Sequence, residues 1–150
     1  MRVRVLLVAA LAAALLAAVV PAGGAAQTSF LSFTSLHVVI MTGAEEAPGP
    51  GDPDGFGVAI ITIDTRTDTV CWFYSVLGID LPAIGAHIHV APRGEPGPIV
   101  VPLSNADATG RASGCIVDED ADAIEANPSA YYVNVHTVPF PGGAVRGQLG

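Results

Sequence analysis

The 150-residue sequence contains four histidines, and three of them lie in two short segments, Ala86-His87-Ile88-His89-Val90 and Tyr132-Val133-Asn134-Val135-His136. In an extended chain, residues two apart point to the same side, so His87 and His89 share one face and Ala86, Ile88 and Val90 the other. By the same alternation Tyr132, Asn134 and His136 line one face of the second segment. With the apolar faces turned into a core, the imidazoles stand outside it. If the two strands are neighbours, His87, His89 and His136 supply three nitrogen donors of the kind that bind zinc or copper. The competing expectation is that the rings hydrogen-bond to loop backbone or to Asn134 and organise the sheet face. His37 stands alone in an apolar stretch and is expected to be incidental.

The elements that must position these residues read as strands. Leu36 to Met41, Phe56 to Asp64, Thr69 to Leu77, Gly85 to Val90, Ile99 to Pro102, Arg111 to Val117, Tyr131 to His136 and Ala144 to Leu149 are rich in Val, Ile, Thr and aromatics. Gly, Pro and Asp clusters separate them, the pattern of an antiparallel all-β sandwich or barrel. The polar run from Asp64 to Thr69 is a hairpin connection. One short helix is expected over Asp118 to Ala126, with acids in its first turn and Asn127-Pro128 as its stop.

Residues 1–26 have the form of a secretory signal: Arg2 and Arg4, an apolar run from Val5 to Val20, Pro21, then small residues. Residues 27–35 read as a linker and 36–150 as the domain, with no membrane span expected in the mature protein. The mature part holds all fourteen acids against four arginines (Arg66, Arg93, Arg111, Arg146) and no Lys, a net of −10. That excludes nucleic-acid binding through a basic patch. A secreted or cell-envelope location favours a disulfide between the only cysteines, Cys71 and Cys115.

Signatures of common enzyme machinery are missing: no Gly-x-Ser-x-Gly elbow, no phosphate-cradling loop with Lys, no Cys-x-x-Cys. Ser104, His136 and Asp107 are too generic a set to argue a triad. Arg146, in the turn-and-strand stretch Pro141 to Leu149, is expected either in a structural salt bridge with Glu46 or as a guide for anions approaching a metal.

Gly43 to Pro48, Ala86 to His89, Gly97 to Leu103, Tyr132 to Thr137 and Pro141 to Leu149 together resemble the CHRD domain, the module first described in chordin and widespread in bacterial exported proteins. The resemblance spans about Leu36 to Gly150 and implies an immunoglobulin-like Greek-key sandwich or barrel, with little implied about activity. The loop Val90-Ala91-Pro92-Arg93 departs from the family pattern in lacking a Gly. A second similarity is to copper/zinc superoxide dismutase, which implies His87, His89 and His136 as copper ligands and Arg146 as anion guide. A fourth copper-site His and the zinc subloop are missing. The first expectation is a non-enzymatic extracellular binding module using copper or zinc, or no cofactor, with an unidentified protein or envelope component as partner. The alternatives are a copper-dependent redox protein and a structural or adhesive envelope domain.

Overall fold

The computed structural model describes residues 35–150; the signal expected over 1–26 and most of the linker lie outside them. Eight strands form one antiparallel sheet: β1 (Ser35–Thr42), β2 (Phe56–Asp64), β3 (Thr69–Leu77), β4 (Gly85–Val90), β5 (Ile99–Pro102), β6 (Arg111–Val117), β7 (Tyr131–His136) and β8 (Val145–Gln148). The order across the sheet is β5-β4-β7-β8-β1-β2-β3-β6. Among the described residues the expected all-β architecture, strand count and single short α-helix are all observed. The helix α1 (Ala121–Ala126) starts later than Asp118, because Asp118 forms the preceding turn: its carbonyl accepts from Ala121 N–H and its carboxylate from Asp120 N–H.

The sheet has two halves. Between β8 and β1 only Thr42 and Arg146 pair, whereas β1, β2 and β3 are in continuous register over their whole length. Inward-facing residues of both halves interdigitate in one core. Val39, Met41, Ile61, Ile63, Val70 and Tyr74 come from one side, Ile88, Val101, Val133, Val135 and Val145 from the other, and Ile124 of α1 joins them. This is the packing of two inner sheet faces in a sandwich.

The segment after β5 ties the two sheet edges together. Leu103 N–H donates to Ala86 O, while Asp107 N–H donates to Arg111 O on the opposite edge. Ser104 is the junction between them. Its Oγ accepts from Trp72 Nε1 at 2.9 Å and donates to Ser113 O, and its carbonyl accepts from the Tyr74 hydroxyl at 2.7 Å. Trp72 and Tyr74 thus bury their rings while their polar tips find partners.

Cys71 and Cys115 face each other across β3 and β6 and are joined by a disulfide, S–S 2.09 Å. A link between residues 44 apart restricts the unfolded chain strongly. Replacing both cysteines by Ala is expected to cost about 3 kcal/mol in urea unfolding, with β-sheet circular dichroism preserved below the transition.

Candidate functional site

β4 and β7 are neighbours, so the condition for the histidine cluster is met. Their register pairs Gly85 with His136, His87 with Asn134 and His89 with Tyr132. One ligand nitrogen from each of His87, His89 and His136 lies within 4.8 Å of the others. Gly85 makes room for this approach. A Cβ there would stand 3.1 Å from His87 Cε1 and 3.2 Å from His136 Cδ2, tighter than ordinary contact.

The hydrogen bonds assign the ring protons. His89 Nδ1 is 2.9 Å from Gly97 O and His136 Nδ1 is 3.0 Å from Pro141 O. A carbonyl oxygen only accepts, so both Nδ1 atoms carry hydrogen and both Nε2 atoms present lone pairs. His89 Nε2 is buried and has no hydrogen-bond partner. His136 Nε2 faces His87 Nδ1 at 3.2 Å, so without a metal His87 donates to it. A cation seated between those two rings in place of that proton requires only that His87 change tautomer. The carbonyls behind His89 and His136 orient the two imidazoles, the arrangement that outer contacts provide in metal sites.

Burial keeps the three rings neutral. It lowers the pKa of His87 to about 4, with the neighbouring His136 and His89 adding to the effect. Burial also holds His89 and His136 below the usual value, aided by the Arg146 charge at His89 and by His89 at His136, against the opposing pull of the Gly97 carbonyl and the Asn134 side chain on His89 and of the Pro141 carbonyl on His136. Neutral imidazole is the form that binds a metal.

Both imidazoles of β4 stand outside the apolar core, as expected, but the face they share is not an open surface. His89 is only 7% exposed. The reason is the loop from Ala91 to Pro98, which folds over the outer face of β4, β7 and β8. Arg146 Nη1 donates to Glu95 O at 2.8 Å and Nη2 to Pro92 O at 2.9 Å, while Gln148 Nε2 donates to Ala91 O. Beneath the loop, Tyr132 lies between β4 and β8. Its ring stacks on His89 with centroids 4.8 Å apart, and the Arg146 guanidinium sits 3.5 Å from the ring centroid. A shallow depression of about 310 Å³, lined by Ile84, Gly85, His87, Ile99, His136 and Pro141, opens the cluster to solvent on the other side.

Arg146 takes neither expected role in the form anticipated. It is 1% exposed, and backbone carbonyls rather than Glu46 occupy its guanidinium, so incoming anions do not reach it. Glu46 instead accepts from Asn134 Nδ2 at 3.0 and 3.2 Å, and Arg146 influences it only through space. Gly143 sits where a Cβ would run into the Glu46 carboxylate and the Asn134 amide. Ser104 and Asp107 are engaged at the sheet closure and the Asp107–Arg111 turn, apart from His136. His37 contacts Ser35 Oγ at 3.0 Å and lies 3.8 Å from Glu125, outside the cluster.

Sequence reasoning did not find the roles of Gly97, Pro141 and Gly85. All three act through backbone or through the lack of a side chain, and the only signal was their place in Gly/Pro loops. The chain matches the CHRD domain over residues 38–149, most of its length. The protein belongs to the CHRD domain family. No curated protein and no solved structure matches it. Among the described residues no helix is long and apolar enough to cross a membrane.

Glu46 has a measurable signature. Burial raises its pKa to about 7 against the favourable Asn134 hydrogen bonds and the Arg146 charge, so the folded state binds a proton that the unfolded state has lost between pH 4.5 and 7. Glu46 therefore contributes stability below pH 4.5 that is lost as pH rises through 7. The three neutral histidines push stability the other way over the same window, so in metal-free protein the change in unfolding midpoint from pH 4.5 to 7.5 is expected to be more favourable in Glu46→Gln than in the unsubstituted chain.

Proposed function

We propose that this protein is a secreted binding module that holds one divalent transition-metal ion, zinc or copper, through His87, His89 and His136. The observation that carries the reading is the buried, unpartnered Nε2 of His89, converging with nitrogens of two further imidazoles. A buried polar atom without a partner is costly, and a metal ion would satisfy it. Neutral rings, carbonyls that fix the His89 and His136 tautomers, and Gly85 beneath them all favour the same ligand. The donor set of three imidazoles suits zinc and copper better than magnesium or calcium.

Each group has a defined part in this reading. The loop from Ala91 to Pro98 keeps water from one side of His89 and orients its ring through Gly97 O. Pro141 O orients His136, and the depression beside His87 and Ile99 is the route of entry. A bound ion would supply Lewis-acid character and a structural tie between β4 and β7. Export is part of the proposal, because the disulfide suits an oxidising compartment and the first 26 residues have signal character. A dismutase-type redox role would need an arginine open to incoming anions, and Arg146 is closed beneath the loop.

The test is titration of chelator-treated protein with Zn²⁺ or Cu²⁺, followed by calorimetry and by elemental analysis after desalting. One ion per chain is expected, with affinity falling on the order of a hundredfold or more in His89→Ala. Saturation at a hundred times Kd should stabilise the fold by about 2.7 kcal/mol. Binding that is substoichiometric, or unchanged in His89→Ala, overturns the reading.

A further inference from the structure

We propose that the outward face of β1, β2, β3 and β6 is a self-association surface on which a second copy of this chain packs face to face. The strand register arranges the outward side chains in rows. Leu36, Thr62, Cys71 and Cys115 form one; Val38, Ile60, Phe73 and Ser113 the next; Ile40, Val58, Ser75 and Arg111 a third; Thr42, Phe56 and Leu77 a fourth. Within these rows the only charge is Arg111, on the bordering strand β6. At the other end Asp64, in a marginal row with Thr69 and Val117, is paired with Arg66 at 2.6 Å. The result is an apolar centre with a polar margin, as in specific interfaces.

The exposure is unusual for a sheet face left in water. Val38 and Leu77 are each 59% exposed, Ile40 54%, Leu36 50% and Phe73 46%. Together the rows present on the order of 700 Å² of apolar surface, more than the roughly 300–600 Å² of the largest patch on an ordinary monomer. Two such faces in contact would bury about 1,400 Å², the size of a standard specific interface.

Charge argues for a second copy as the occupant. The chain carries a net charge of −8, so two copies repel wherever carboxylates meet; the four central rows present none, and Asp64 in the marginal row is paired with Arg66. Twisted antiparallel faces of this kind pack on one another about 10 Å apart with strands some 30° off parallel. A two-fold axis through the Val38–Ile60–Phe73 row makes the contact isologous and closed, so association stops at the dimer. The histidine cluster belongs to the β5-β4-β7-β8 half, across the β8–β1 junction, so both sites of the dimer stay open. The inference stands independently of metal binding.

Light scattering coupled to size exclusion, with sedimentation velocity across micromolar concentrations, decides the matter on the purified protein. A dimer is expected, with its dissociation constant raised at least about tenfold by Phe73→Glu and by Val38→Glu. Val138→Glu, exposed elsewhere, should leave the dimer intact, and circular dichroism and unfolding midpoints verify that each variant folds. A monomer at all concentrations overturns the proposal. So does a dimer insensitive to both substitutions on the face, or a monomer in which the residues before Ser35 protect Phe73 from solvent.

Discussion

The structure of the site depends on one buried cation. Arg146 stands at the first position of β8 whose side chain projects outward, and burying a guanidinium is tolerated only when its donors are satisfied. The carbonyls of Glu95 and Pro92 and the Tyr132 ring meet that demand, and they can do so only if the loop from Ala91 to Pro98 folds down over β7. Once the loop is down, Gly97 O reaches His89 Nδ1 and the Tyr132 hydroxyl accepts from Gly97 N–H. The position of the loop, the tautomer of His89 and the burial of its free nitrogen are thus consequences of a single charge.

The same region separates its charges by neutral groups. Tyr132 keeps Arg146 out of contact with the imidazoles, although its charge still helps lower the His89 pKa, and Glu46 is held by the Asn134 amide rather than by the guanidinium. An Arg146–Glu46 pair in direct contact would have cancelled both charges and freed the loop carbonyls. The observed arrangement keeps the cation on the loop and leaves a carboxylate with a raised pKa on the other side of Asn134. The three rings remain neutral between them, the state in which nitrogen lone pairs are available.

The two halves of the sheet answer the same requirement, a dry inner face, with opposite outer faces. In β7 both faces are buried, because loops cover its polar outer side. In β1, β2 and β3 the outer side is apolar and no loop of the chain lies over it among the described residues. The weak β8–β1 junction lets the halves differ in this way, while Ser104 and the disulfide secure the other edge.

Much of this was legible in the residues. Period-two alternation locates all eight strands to within a residue or two, since it depends only on which side of a pleat each Cβ occupies. The same alternation puts His87 with His89, and Tyr132 with Asn134 and His136, each on one face. The compartment argument pairs the two cysteines because no other partner exists. Tertiary structure alone decided the rest. Strand adjacency determines whether two His-bearing faces meet, and β4 and β7 are forty residues apart in the chain with β5 and β6 between them. Local pattern carries no information on that pairing, nor on which carbonyl a buried arginine will find. The start of α1 at Ala121 and the partners of Arg146 and Glu46 depend on loop backbone brought close by folding, and backbone atoms look the same in every residue of a sequence.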